Sequence, residues 1–155
     1  METSHETDRV RANTADYINR RIDQCIEDNV RYYSGRPQEE ILRRMEALEQ
    51  EWDIERVLEI MASSFSLTGI ALGAVKHKIW FLLPATVLSF LFIHAVQGWC
   101  PPVPVLRRLG IRTREEIERE RYALKALLGD FAGVKNESDQ AGQALAAVRR
   151  NLTFE

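Results

Sequence analysis

VLEIMASSFSLTGIALGAV (57–75), KHK (76–78) and IWFLLPATVLSFLFIHAVQ (79–97) follow one another without a break. No charged residue falls in 60–75, and none falls in 79–106 apart from His94. A helix needs roughly 20 apolar residues, range about 17–25, to cross the hydrocarbon core of a bilayer. Both arms reach that length. The polar join is short, so the stretch reads as a tight helical hairpin in a membrane. The first arm is the weaker of the two, because Ser63, Ser64, Ser66 and Thr68 dilute it and Glu59 stands near its start. The competing reading is a buried hairpin inside a soluble helical bundle.

Composition alone would miss this. The 155 residues are 45% hydrophobic and 28% charged, values ordinary for a soluble protein. The apolar residues, however, are concentrated in the middle and the charges at the two ends. A formal net charge of -2 gives no bias towards nucleic acid. Two cysteines, Cys25 and Cys100, lie too far apart to suggest a disulfide framework or a zinc site. The opening METSHETDRV lacks a basic-then-apolar pattern, so the expectation is that no signal peptide is present and the spans stay in the mature chain.

The flanks read as helices. Residues 1–13 are polar and expected to be a disordered tail. Over 14–52 two amphipathic helices are expected on the cytoplasmic side. In the first, Ile18, Ile22, Ile26 and Val30 recur every fourth residue, with Cys25 beside the stripe as a buried thiol. SGRP (34–37) breaks it, and Pro37 suits the first turn of a second helix over 38–50. There Ile41, Leu42, Met45 and Leu48 form the apolar side, and Glu39–Arg43 and Glu40–Arg44 can pair at i,i+4. The hairpin occupies 53–97, with Asp53 as its N-cap and Trp52 at headgroup level or packed on the preceding helix.

Within the hairpin, Ala62, Ser66, Gly69 and Gly73 form a line of small residues. Small residues let helix backbones approach in lipid, where apolar surface alone gives little drive to associate. The line faces either the second arm or another subunit, and a homodimer through the Gly69–Gly73 face is expected. The serines and Thr68 can instead bond to carbonyls one turn earlier. Pro84 is expected to remove a helical hydrogen bond and kink the second arm. Ser63, Thr68 and His94 are a possible polar membrane site, although His94 lies within a turn of the helix end and can reach the interface. Eight flanking arginines against two loop lysines, Lys76 and Lys78, place both termini in the cytoplasm.

Residues 98–112 leave the membrane. Pro101, Pro102 and Pro104 argue against helix there, and Trp99 adds an interfacial aromatic. Two apolar helices, then Gly98, Cys100 and Pro101, then Leu109, Gly110 and Ile111, resemble the YgaP-type transmembrane domain, a small bacterial membrane family of unknown function. The likeness covers roughly 54–112. It implies a membrane hairpin, open to pairing as a dimer, in the bacterial inner membrane. Members are sometimes joined to a rhodanese-like sulfurtransferase whose thiol belongs to the soluble domain. No such domain stands here, and Cys25 sits in the helical run DQCIED, so no residue inherits that role. The charged helices on both sides depart from the family.

Over 113–155 C-terminal cytoplasmic helices are expected. Thr113-Arg114-Glu115-Glu116 is a capping box that opens a helix to about Leu128, with Ile117, Leu124, Leu127 and Leu128 on one side and Arg114, Glu118, Arg119, Glu120, Arg121 and Lys125 on a wet face. A linker at 131–140 leads to a last helix. The fold class is therefore all-α, a two-helix transmembrane hairpin flanked by cytoplasmic amphipathic helices. No metal motif, phosphate loop or nucleophile–base set appears, so no cofactor, no metal and no catalytic residue is expected. The expected partners are the lipid bilayer and either a second copy or other membrane proteins, with no nucleic acid. The function expected is a structural or interaction module. The alternatives are a component of a small oligomeric channel or transporter, and a thiol- or sulfur-handling protein using Cys100.

Overall fold

A computed structural model describes residues 8–129, and every regular element among them is helical. In chain order these are α1 (Arg9–Ala12), α2 (Asp16–Tyr33), α3 (Gln38–Gln50), α4 (Ile54–Val75), a 3-10 turn (Lys78–Phe81), α5 (Leu82–Gln97), α6 (Val103–Arg108) and α7 (Arg114–Leu127). The chain divides into two compact units. One takes its described residues from Met1–Cys25 and Glu51–Ile117, the other from Ile26–Gln50 and Glu118–Glu155. The linker and last helix expected after 130 lie outside the described residues.

The first unit contains the hairpin. Asp53 caps α4, its Oδ1 accepting from the Arg56 N–H at 2.7 Å. The Arg56 guanidinium stacks over the exposed Trp52 ring at 4.8 Å. At 1.5 Å per residue, α4 and the run Lys78–Gln97 are each about 30 Å long, matching a hydrocarbon core of about 30 Å. Both runs are long and apolar enough to cross a membrane, and only 22% and 6% of their apolar windows are buried. A helix in the core of a soluble protein is mostly buried, so the soluble-bundle reading fits these exposed surfaces poorly. Leu67, Val75, Leu82 and Phe92 all stand outward.

The small residues of α4 are used inside the hairpin. A methyl added to Gly69 would lie 2.5 Å from Pro84 Cδ, and one added to Gly73 would lie 3.0 Å from the Phe81 ring. Ala62 and Ser66 are buried on the same face. The face expected to join two copies is therefore occupied by the second arm. Pro84 is the third residue of α5, just after the 3-10 turn, early in the run where its missing N–H is tolerated. Thr68 Oγ1 donates to the Ser64 carbonyl at 2.8 Å, as expected of a hydroxyl in lipid. Ser66 Oγ, also expected to bond locally, finds no partner among the described residues.

Three further expectations are corrected. Residues 8–13 are ordered: Asp8 caps α1 by accepting from the Arg11 N–H at 2.9 Å, and Val10 is buried. The proline-rich segment does form a short helix, α6. Pro102 is its N-cap and Pro104 its second residue, positions that need no N–H donor and suit proline's fixed φ. Cys25 is exposed rather than buried.

The first unit's core gathers Val10, Ile54, Leu58, Cys100, Val103 and Leu106, with Val57 and Ile111 packed against it. In the second unit, Ile26, Ile41, Leu48 and Leu124 are buried, whereas Leu42, expected on the apolar side, is exposed. Glu39 pairs with Arg43 at 2.5 Å. Glu40 lies 3.8 Å from Arg36 instead of pairing with Arg44. Arg44 bonds to Glu120, whose side chain is fully buried and not on a wet face.

Candidate functional site

Where the flanks of the hairpin meet, a charged cluster is closed off from water. Glu116 and Arg107 are both 0% exposed. The Glu116 carboxylate accepts from Arg11 Nη1 at 2.5 Å and Arg107 Nη2 at 2.7 Å on Oε1. On Oε2 it accepts from Arg107 Nη1 at 2.6 Å and the Thr113 N–H at 2.9 Å. These four bonds match the four lone-pair sites of a carboxylate. Arg11 also grips Asp23 through both terminal nitrogens, and Arg107 Nη2 donates to Asn19 Oδ1 at 2.9 Å. Thr113 completes the capping box, with the Glu116 N–H donating to its Oγ1 at 3.3 Å, while Thr113 Oγ1 donates to Asp8 Oδ2.

The two arginines pair with two carboxylates, Glu116 and Asp23, and a third, Asp8, is reached through Thr113. Burial alone would raise the Glu116 pKa, but the hydrogen bonds from Arg107 and Thr113 and the charges of Arg107 outweigh it and hold Glu116 below the usual carboxylate range. For Arg11, burial works against the charge. Its hydrogen bonds to Asp23 and Glu116 outweigh that and raise its pKa. A carboxylate so fully engaged has no free lone pair with which to take a proton from a substrate. The cluster's chemistry is positional: it fastens α1, α2, α6 and α7 to one point in the first unit.

The Gly98–Ile111 stretch is organised around that point. Gly98 ends α5 in the left-handed conformation, φ 73°, its N–H donating to the His94 carbonyl at 2.7 Å. A methyl there would meet Arg9 Cβ at 2.5 Å, so glycine is required twice over. Arg9 Nη1 and Asn13 Nδ2 in turn satisfy the last α5 carbonyls, at Ala95 and Gln97. Cations are favoured at a helix C-terminus, where the dipole is negative. Cys100 is 6% exposed, and burial pushes its thiol pKa up. It is a packed thiol, not an activated thiolate. Pro101 leads into α6, while Leu109 and Gly110 are exposed and Ile111 packs on the core.

Ser63, Thr68 and His94 are not brought together. Ser63 and Thr68 are exposed on α4, whereas His94 is buried in the last turn of α5. Thr68 sits beside Gly69, which meets Pro84, and Pro84 is ten residues from His94 along α5, about 15 Å at helical rise. Among the described residues, no group of three or more His, Cys, Asp or Glu side chains is placed to hold a metal ion.

Between α4 and α5 a groove of about 230 Å³ runs over Cys100, walled by Leu58, Ala62 and Phe65 on one side and Val87 and Leu91 on the other. Its lining is apolar throughout. Sequence reading missed both the groove and the charged cluster. One signal for the cluster was present: Val103, Leu106 and Arg107 fall on one helical face, which puts an arginine among core residues.

No family model, no curated protein and no solved structure matches this chain. The likeness of 54–112 to the YgaP-type domain rests on the two apolar helices and the Gly98–Ile111 residues alone.

Proposed function

We propose that this chain is a small integral membrane protein whose hairpin anchors a rigid helical platform, acting as a structural or interaction module in a homo-oligomer or a larger membrane complex. The observation that carries the reading is the nearly uncovered apolar surface of α5, 6% buried over its apolar window, on a hairpin whose α5 end is held by Arg9 and Asn13, next to the α1 residue Arg11 that the Glu116 cluster fastens. Exposed apolar helices argue for lipid or protein neighbours, and the fully bonded cluster argues for a fixed platform rather than a moving part. Both termini lie on one side of the membrane, the cytoplasmic side of a bacterial inner membrane, supported by the excess of flanking arginines. The YgaP-type likeness is in keeping with this placement.

Because Gly69 and Gly73 are used within the hairpin, contact with a second copy or another protein falls to the outward residues. A photo-crosslinking residue at Leu67 or Phe92 tests this in native membranes. The expected result is an adduct with a second copy or with another membrane protein. Adducts with lipid alone at both positions would refute the interaction role.

A further inference from the structure

We propose that the groove between α4 and α5 is a binding site for one acyl chain of a phospholipid from the leaflet on the side of the termini. The proposal rests on the membrane-span reading. Phe65 and Phe90 both line the groove and are both exposed, so it is continuous with the outward surface of the hairpin. Its lining is almost wholly apolar, with the Cys100 thiol the one weak donor, so it suits an apolar occupant.

The extent of the groove selects the occupant. From Leu58 to Phe65 it follows about 10 Å of helix axis, within the roughly 15 Å that one leaflet contributes to a hydrocarbon core of about 30 Å. At one end it rests on Cys100 and Pro101, just beyond the end of α5. Towards the turn it is closed, because Gly69 against Pro84 and Gly73 against Phe81 leave no gap. A partner helix crossing both leaflets would need a furrow along the whole hairpin. A blind groove confined to one leaflet fits a single chain entering from the interface.

Native mass spectrometry of the full chain, extracted in mild detergent and titrated with palmitoyl-oleoyl phosphatidylglycerol, tests the proposal. Wild type should hold one phospholipid per chain. Ala62→Phe and Val87→Phe, which fill the groove from opposite walls, should bind at least ten-fold more weakly, and Leu67→Phe on the outward face should bind as wild type. Equal binding by all variants overturns the site, leaving unspecific annular lipid. If neither filling variant folds, wild type decides: a chain that needs detergent yet holds no phospholipid overturns it. A disulfide between copies through Phe65→Cys or Phe90→Cys also overturns it, since a second copy would then fill the groove. Recovery of the chain without detergent would instead strike at the membrane reading itself.

Discussion

Glu116→Gln keeps the shape of the side chain and removes its charge. The fully buried Arg107 guanidinium then loses its counter-charge, and the new amide NH2 must face Arg107 together with either Arg11 or the Thr113 N–H, donor against donor. Breaking a buried ion pair by removing one partner costs about 3–5 kcal/mol. At about 2–4 °C per kcal/mol for a chain of this size, the melting temperature should fall by about 6–20 °C. The assay is a circular-dichroism melt in detergent micelles, with hydrogen exchange of the α7 amides as a local readout. Replacing the set by apolar residues, Arg11→Met with Arg107→Met and Glu116→Leu, should recover most of the loss, because such clusters can be exchanged for packed hydrophobic groups at little cost. Of the partners left behind, Asp23 is partly exposed and can be solvated, while the Thr113 N–H and Asn19 each lose one bond, which keeps the recovery short of complete. A Glu116→Gln protein melting within about 3 °C of wild type, with unchanged α7 exchange, would refute the reasoning.

Acid should act through the same carboxylate. The folded pKa of Glu116 is depressed, so its contribution is fully present above the unfolded value of about 4.3 and is lost as pH falls through the lower folded value. Melting temperature against pH should therefore drop below about 4.3, and Glu116→Gln should flatten that drop. Gly98→Ala places a methyl 2.5 Å from Arg9 Cβ in a left-handed conformation, itself a cost of about 1–2 kcal/mol. It should release α1, seen as faster exchange at residues 9–13, whereas unchanged protection would contradict the packing. Gly69→Leu should destabilise the hairpin without changing the oligomeric state in sedimentation, and loss of an oligomer would restore the glycine face as a subunit contact. With maleimide near neutral pH, exposed Cys25 should react at least ten-fold faster than Cys100. A Cys100 thiolate titrating below the usual thiol range of about 8.5 would support thiol chemistry instead.

The hairpin was legible because hydrophobic length is a local property, and the charge-free runs on either side of Lys76-His77-Lys78 needed no tertiary information. The α2 stripe was legible for the same reason: Ile18, Ile22 and Ile26 are buried. The capping box at Thr113 also formed as read, with both reciprocal bonds. What stayed hidden depends on distant partners. Glu116 reads as a capping-box residue and Glu120 as part of a solvated helix face until Arg11 and Arg107 reach the first and Arg44 the second, and Arg11 stands 105 residues from Glu116. α1 has too few residues to show a period, and it is held by its Asp8 cap and by Arg9 on the end of α5. The prolines before α6 were read as helix breakers, although at the first helical positions they are tolerated. Gly69 and Gly73 announced a close approach without saying to which helix.

The central claim is a two-span hairpin with both flanks on one side. Labelling with a membrane-impermeant maleimide tests it directly, using native Cys25 as the flank reporter and His77→Cys as the turn reporter. The account predicts that intact cells label His77→Cys and not Cys25, and that Cys25 becomes reactive once the membrane is opened. Labelling of both positions from the same side would contradict it.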